Sequence, residues 1–299
     1  MPAPSDLPYE LHEALEGLHE PVLVGMMTGW IDASSAAATA MGVIDAACDM
    51  RPLATFDGDT FIDYRARRPT MELREGVNLR LQWPTIVLKV GRDAGGHDVL
   101  TLSGPEPDSA WRLFADVVTD LTIGLGVRMA VFMGSYPFAS PHTRPPRLSA
   151  SSPAADVIEP FPFLKNSVDI PAGIAAVLEH RFTDKGVPSL GIWAQVPHYL
   201  GTMSYPAATA ALLEGITTVA GLVVDAEEVR TEAAQQRHRV DQLIAANEEH
   251  QAMVRQLETM YDASASSAIG TGMGQQEIPS GDELAAEIER FLRTRRDDT

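Results

Sequence analysis

The sequence has little that could cross a membrane or cross-link the chain. It contains one cysteine, Cys48, among 299 residues, which excludes an intramolecular disulfide. Its apolar runs, such as Ile86–Val90 and Met129–Met133, have the length of strands and are too short to span a bilayer. The first residues lack a basic segment followed by an apolar one, the mark of a signal peptide. We therefore expect a cytoplasmic protein with no membrane partner.

Positive charge is also scarce. The chain has 23 lysines and arginines against 41 aspartates and glutamates, a formal net charge of −18 at pH 7. Such a chain repels nucleic acid, and the basic cluster Arg65–Arg68 is diluted by aspartates. We therefore expect no nucleic-acid partner.

The signatures of several catalytic classes are missing as well. There is no Gly-x-Ser-x-Gly elbow, no Walker loop and no Gly-x-Gly-x-x-Gly turn. The eight histidines are scattered without the spacing of metal ligands. Asp57, Asp59 and Asp63 resemble the start of a calcium loop, but Arg68 stands where that loop needs a glutamate. The sequence thus predicts no metal and no cofactor, and it identifies no catalytic residue.

What the sequence does contain is an alternation of strand and helix patterns. Apolar runs at Pro21–Met27, Asp98–Leu102, Arg128–Met133 and Leu190–Val196 predict buried strands. The helices expected beside them are a helix that Ser34 or Ser35 caps and that runs to about Cys48, and the helices Pro107–Gly124 and Pro206–Ala220. This alternation predicts an α/β core domain over residues 1–224, with a mixed, largely parallel sheet between helices.

A β-hairpin is predicted within this core, at about residues 59–83. Phe61–Arg67 and Val77–Trp83 alternate in polarity, which is the pattern of strands. Glu75-Gly76 supplies a turn between the extended segments. Because the hairpin does not fit the alternation of strands and helices, we predict that it is an insertion.

The first predicted strand of the hairpin carries a charged face that includes Asp63, Arg65 and Arg67, with Arg68 directly after it. One alternative is a solvated surface, which base rates favour. Otherwise the charges need a bound anion, or carboxylates such as Asp57 and Asp63 of the same or a neighbouring chain. We predict that Asp63, Arg65, Arg67 and Arg68 lie at an oligomer contact. Charge reversal at Arg67 should then dissociate the oligomer.

From Asp225 onward the composition favours helix. Residues 225–262 contain no proline or glycine, which predicts a long helix or a helical hairpin. An apolar stripe from Val240 to Tyr261 indicates that this segment docks on the protein's own core. The small residues of 263–281 predict a flexible linker, and residues 282–299 predict a terminal amphipathic helix.

The loops that follow the predicted strands hold the polar residues best placed to bind a ligand, because ligands of open parallel sheets bind beyond the carboxyl ends of the strands. These loops and the rigid stretch Pro141–Pro146 supply the candidate ligand-binding residues Thr28, Asp32, Glu106, Ser135, His142, Arg144 and His198. In such a pocket Arg144 would bind an anionic group, and Glu106 or His142 would exchange protons. The structural alternatives are an ion pair for Arg144 and a backbone carbonyl partner for His142.

Five motifs occur in an order that matches a known family. They are Arg68-Pro-Thr70, Trp83-Pro84, Gly104-Pro-Glu-Pro-Asp108 with Trp111, Pro141-His-Thr-Arg-Pro145 and Trp193-Ala-Gln-Val-Pro-His-Tyr199. With these motifs the chain resembles the actinobacterial branch of the proteasome assembly chaperone family, which is named for its second eukaryotic member. The resemblance covers roughly residues 10–262.

The resemblance implies a fold and an assembly. Family members are similar to purine nucleoside phosphorylases in core topology, and the bacterial branch is associated with homotrimers. A hairpin insertion lies in the subunit contacts and a C-terminal helical lid covers a ligand pocket, which would correspond to the hairpin at 59–83 and the helices after Asp225. Eukaryotic and archaeal relatives assist assembly of the proteasome α-ring, some through a terminal hydrophobic-Tyr-X tail. This sequence ends Arg295-Arg-Asp-Asp-Thr299, so docking through that tail is not expected.

Two functions therefore stay open. The first is a non-enzymatic protein that binds partners, namely its own copies and proteasome subunits. The second is a ligand-binding protein or enzyme that acts on a nucleoside-like or small anionic substrate in the sheet-end pocket. A further alternative is that residues 225–262 form an oligomer contact instead of a lid.

Overall fold

A computed structural model describes residues 7–13 and 17–267 of the chain, with side chains up to residue 264. The strands are β1 (Tyr9–Leu11), β2 (Val22–Thr28), β3 (Arg51–Phe56), β4 (Thr70–Arg74), β5 (Val77–Gln82), β6 (Val87–Arg92), β7 (Asp98–Pro105), β8 (Met129–Phe138), β9 (Leu148–Ser151) and β10 (Ser189–Pro197). The α-helices are α1 (Ala36–Ala47), α2 (Gly58–Phe61), α3 (Trp111–Gly124), α4 (Ala155–Ile158), α5 (Ile174–Asp184), α6 (Pro206–Ala220), α7 (Glu227–Ala245) and α8 (Glu248–Ser267).

Eight of these strands form one mixed sheet in the order β1-β3-β6-β7-β2-β8-β10-β9. The central strands β7, β2, β8 and β10 run parallel to one another. At the edges, β6, β3, β1 and β9 add in antiparallel orientation. The predicted α/β class with a mixed sheet is thus confirmed, whereas the likeness to purine nucleoside phosphorylases stays a prediction.

Helices cover both faces of the sheet, because successive residues of a strand point to opposite sides. In β2, Val22 and Val24 belong to a buried cluster that contains residues of α1 and α6. Leu23, between them, belongs to a second cluster with residues of α3 and α5. Each fully buried side chain of this kind contributes about 1.5–3 kcal/mol, so the two clusters together hold the sheet between its helices.

The strands β4 and β5 form a separate two-stranded sheet. Met71 lies opposite Leu81, and Glu72 lies opposite Arg80. The turn between the strands is Glu75-Gly76, whose φ angles of 49° and 81° match the positive values that tight hairpin turns require. The predicted turn and second strand are therefore confirmed.

The strand predicted at residues 61–67 is wrong. Gly58–Phe61 forms one helical turn, which Asp57 caps by accepting a hydrogen bond from the N–H of Asp59 at 3.3 Å. Phe61 and Ile62 are both buried, and two successive buried residues are incompatible with the assumed alternation of a half-exposed strand. The chain then turns at residues 63–67 before it enters β4.

The helical segment that begins near Asp225 forms two helices rather than one. Helix α7 ends at Ala245, and α8 begins at Glu248. The side chain of Asn247 accepts a hydrogen bond from the N–H of Glu249 at 2.8 Å and so caps α8. Val240 of α7 is buried, in a helix that packs against α6. Leu243, which the predicted stripe places against the core, is 66% exposed, whereas its neighbour Ile244 packs against the core.

Residues up to Glu258 form one compact unit, and a second unit begins at Thr259, within α8. This helix runs to Ser267 and so includes the first residues of the linker predicted at 263–281. The rest of that linker and the predicted helix at 282–299 lie outside the described residues. None of the helices in the described ranges is both long and apolar enough to span a membrane.

Candidate functional site

The carboxyl ends of the four parallel strands meet at one edge of the sheet. β2 ends at Thr28, β7 at Pro105, β8 at Phe138 and β10 at Pro197. The loops selected from the sequence therefore do share one end of the sheet. Because β8 is longer than predicted, Ser135 lies within the strand and not in the loop after it.

Asp32 and Ser135 lie side by side, but their polar atoms bind the protein itself. Ser135 Oγ is 2.7 Å from Asp32 Oδ1. The carboxylate oxygens of Asp32 accept hydrogen bonds from the N–H groups of Ala37 and Ala38, at 2.9 and 3.0 Å. Asp32 thus caps α1, a role predicted for one of two serines. Ser35, which directly precedes the helix, has a left-handed backbone and makes no side-chain capping bond.

Glu106 and Thr28 hold the loops on the α5 side of this edge. Glu106 is buried, and its Oε1 accepts a hydrogen bond from the N–H of Ile174, the first residue of α5, at 2.7 Å. Burial raises the pKa of Glu106 above its usual value, while the Ile174 hydrogen bond and the charge of Arg67 oppose this rise. Thr28 Oγ1 donates to the carbonyl of Gly104 at 3.3 Å.

Arg67 is anchored in its own chain. Its Nε lies 3.1 and 3.2 Å from the two carboxylate oxygens of Asp108. The carboxylates suggested as its partners are engaged locally instead: Asp57 caps α2, and Asp63 accepts a hydrogen bond from the N–H of Arg65 at 2.8 Å. Within the chain Arg67 therefore pairs with neither Asp57 nor Asp63, because the turn after α2 brings it to the sheet end. A pairing with a carboxylate of a neighbouring chain stays a prediction.

The loop 141–146 holds a doubly bonded histidine. His142 is buried, with Nδ1 2.7 Å from the hydroxyl of Tyr199 and Nε2 3.0 Å from Oδ1 of Asp241 in α7. The Tyr199 hydroxyl also accepts the backbone N–H of His142 at 2.8 Å, and burial raises the pKa of Tyr199 to about 12. The hydroxyl therefore keeps its proton, and His142 links the core to α7.

The next two residues of this loop contact α8. Thr143 Oγ1 donates to Glu258, and Arg144 Nη1 lies 3.1 Å from the same carboxylate oxygen. Arg144 thus forms an ion pair with a carboxylate, which is the structural alternative that the sequence left open for it. Three successive residues of one loop therefore contact both α7 and the middle of α8.

A cavity of about 270 Å³ lies between α7 and the core. It is lined by His142, Arg144, Pro145, Pro146, Leu200, Tyr205, Ala207, Ala233, Ala234, Gln236, Arg237 and Val240. Of the candidate ligand-binding residues, His142 and Arg144 line it. Those that do not line this cavity are Thr28, Asp32, Glu106, Ser135 and His198. The α7 residues of the lining were not predicted, because they belong to an ordinary helical pattern that carries no local signal of a binding site.

The hairpin exposes a set of large apolar side chains, which we call the apolar hairpin surface: Met71, Leu73, Val77, Leu79 and Leu81, each between 44% and 58% exposed. Met71 and Leu81 share a face, because they lie directly opposite each other. On the other face Arg80 pairs with Glu72 at 2.5 Å. Of the predicted contact residues, Arg65 and Arg68 form no ion pair with any side chain that the structure describes.

Two further observations bear on chemistry. Within the described part of the chain, no three metal-ligating side chains come together. Glu179 of α5 is buried, its one hydrogen bond comes from Ser151 Oγ at 3.5 Å, and burial raises its pKa to about 8. Because Glu179 does not line the cavity, its altered acidity bears on folding stability rather than on the site.

The fold and the site define a mixed α/β protein with a projecting hairpin and a helical pair bound to one loop. The model of the PAC2 family matches residues 26–244. The chain therefore belongs to the PAC2 family, which confirms the predicted membership. Among curated proteins, none matches the sequence.

Solved structures from actinobacteria are similar to this chain over most of its length. The Mycobacterium tuberculosis protein Rv2714, of unknown function, is 33% identical, with a TM-score of 0.79 over 88% of this chain and 91% of its own. The proteasome-assembly chaperone homologue Rv2125 of the same organism is 30% identical, with a TM-score of 0.72 over 78% of this chain and 99% of its own. A PAC2 family protein from Streptomyces avermitilis is 32% identical, with a TM-score of 0.71 over 78% and 99%.

Proposed function

We propose that this protein is a non-enzymatic, partner-binding protein of the cytoplasm that assembles with its own copies through the hairpin. The observation that carries this proposal is the apolar hairpin surface. A two-stranded hairpin alone is marginally stable in water. Five large apolar side chains exposed together mark a contact with another protein, since burying them removes apolar area from water.

The charge of the hairpin favours a second copy of the chain as the occupant. Residues 64–83 contain five arginines and two glutamates, a net charge of +3, in a chain whose net charge is −18. The hairpin of one copy is thus attracted to the acidic body of another. The resemblance to the bacterial branch favours three copies in a closed ring.

A substitution on the hairpin tests this assembly. Leu81→Glu places a charge on the apolar face, and Gln82→Glu places the same charge on the neighbouring, opposite-facing residue. Light scattering should give a trimer of 32.3 kDa chains for the wild type and for Gln82→Glu, and a monomer for Leu81→Glu. A Leu81→Glu protein that stays assembled would refute the hairpin contact.

We further propose that proteasome α-subunits are the external partner. The description of Rv2125 as a proteasome-assembly chaperone homologue supports this class of partner. Mixing the full chain with actinobacterial α-subunits should produce a co-eluting complex in size-exclusion chromatography. Unchanged elution of both proteins would overturn this assignment and leave the self-assembly proposal untouched.

A second candidate function is small-molecule binding in the cavity between α7 and the core, with α7 as its lid. The observation that favours it is a cavity of about 270 Å³ whose lining includes two arginines, Arg144 and Arg237. A panel of nucleosides, small anions and amino acids tests it by thermal shift. A ligand at a hundred times its Kd should stabilise the fold by about 2.7 kcal/mol, and a flat response would refute this function.

A further inference from the structure

We propose that the cavity between α7 and the core takes a small carboxylic acid with an apolar body, whose carboxylate binds at Arg237. This inference rests on the second candidate function, that the cavity binds a small molecule. It differs from the nucleoside-like ligand expected from the fold, because the chemistry of the walls differs from that of a nucleoside site.

The walls of the cavity call for an apolar ligand body. Pro145 and Pro146 form one side, and Ala233, Ala234 and Val240 of α7 form another. These side chains offer no hydrogen bonds, so water in the cavity is poorly held and an apolar group gains by replacing it. A volume of about 270 Å³ lies just below the roughly 300 Å³ at which drug-sized pockets begin, and it suits one aromatic ring or one branched acyl chain.

Apart from the two arginines, the polar side chains at the walls are already engaged. Both ring nitrogens of His142 are bonded, one to Tyr199 and one to Asp241. The side-chain amide of Gln236 donates to the carbonyl of Ser204. A nucleoside would therefore bury ring nitrogens and hydroxyls without partners, which costs binding free energy.

Of the two cations at the cavity, Arg237 is only weakly paired. The Arg237 side chain is 56% exposed, and its Nε is 4.0 Å from Asp241 Oδ2, the outer limit of an ion pair. Its guanidinium can therefore donate two hydrogen bonds to a ligand carboxylate. Arg144, the second arginine of the lining, forms an ion pair with Glu258, with Nη1 and Oε1 3.1 Å apart. A doubly charged phosphate would be repelled by the carboxylates of Asp241 and Glu258 and by the net charge of −18 of the chain. A ligand with one negative charge meets half of this repulsion, because the Coulomb energy is proportional to its charge.

A bound acid would join two parts of the molecule, because the core supplies one wall of the cavity and α7 the other. Ligand binding should therefore hold α7 against the core. Hydrogen exchange of the amides of Glu227–Ala245 should slow when the acid is present, a readout that needs no knowledge of activity.

Calorimetry on the full chain tests the ligand class with phenylacetate, its methyl ester, adenosine and inorganic phosphate. Phenylacetate should bind at least tenfold more tightly than the ester, and the ester more tightly than adenosine or phosphate. Arg237→Gln should reduce the preference of acid over ester to about onefold. Equal affinity of acid and ester in the wild type, or tighter binding of adenosine, would overturn the proposed class while leaving ligand binding intact.

A matched pair of alanine substitutions locates the site. Ala233→Leu fills the cavity and should abolish phenylacetate binding, whereas Ala245→Leu makes the same change on an exposed, non-lining position of α7 and should leave binding unchanged. Unaltered binding by Ala233→Leu would overturn the location. Failure of every compound to bind the wild type would instead refute the cavity function on which this inference rests.

Discussion

The two halves of segment 57–83 differ in the burial of their apolar side chains and in the partners of their arginines. In residues 57–69 the large apolar residue Phe61 is fully buried, and Arg67 pairs with Asp108. In residues 70–83 the apolar side chains are exposed, and the ion pair of Arg80 with Glu72 is local to the hairpin. The comparison shows that a protein partner is expected where apolar side chains are exposed, and not where charged residues are most frequent. Charged side chains can stay in contact with water at little cost in free energy.

The two halves should differ in how much their apolar side chains contribute to the free energy of unfolding. Phe61→Ala should cost roughly 3–5 kcal/mol in the free energy of unfolding, because Phe61 packs against Phe114 with ring centroids 5.2 Å apart in a sealed core. Leu79→Ala, at 57% exposure, should change the stability of the dissociated chain by no more than about 0.5 kcal/mol. Urea unfolding at low protein concentration measures both values. Equal losses in the two variants would contradict the division.

Charge reversal at Arg67 sharpens the comparison. Arg67→Glu should destabilise the fold by about 2 kcal/mol, because Asp108 and the buried Glu106 would then face a third carboxylate. The charge swap Arg67→Glu with Asp108→Arg should restore at least half of the loss in urea unfolding. If Arg67→Glu instead dissociates the oligomer at unchanged stability, Arg67 acts at a subunit contact, as its place in the sequence first suggested.

Glu179 extends the comparison to an acid that is buried without a cation. Its folded pKa of about 8 lies above the unfolded value of 4.5, so the folded state keeps a proton that the unfolded state loses. This contribution to stability is complete below pH 4.5 and is lost as the pH rises toward 8, at up to about 1.4 kcal/mol per pH unit. Glu179→Gln should flatten the pH profile of urea unfolding over this window. Identical slopes for variant and wild type would refute the assignment.

Much of the fold could be predicted because its signals are local. The apolar runs of the four parallel strands and the helices beside three of them follow the 2.0 and 3.6 residue periods. Helix α5 was missed, although Ile174, Leu178 and Phe182 stand at the four-residue spacing of a buried helix face. The strand at 61–67 was wrong because alternation alone cannot distinguish a strand from a helical turn followed by a loop.

The site could be predicted only in part. The loop 141–146 stood out because proline, histidine and arginine combine in it, and both His142 and Arg144 line the cavity. Ala233 and Arg237 lie about 90 residues further along the chain in an ordinary helical pattern, so nothing local connected them to this loop. For the hairpin, the sequence pattern likewise predicted a strand but not that its apolar side chains are exposed.

By itself, the sequence determined the α/β class, the parallel centre of the sheet, the hairpin turn and the family, because periodicity, turn residues and ordered motifs are properties of neighbouring residues. The tertiary structure decided which charges are satisfied and which apolar side chains stay open. Arg67 and Asp108 are 41 residues apart, and His142 and Asp241 are 99 residues apart. Such pairings arise only when the chain packs, since burial and contact depend on residues that are distant in sequence.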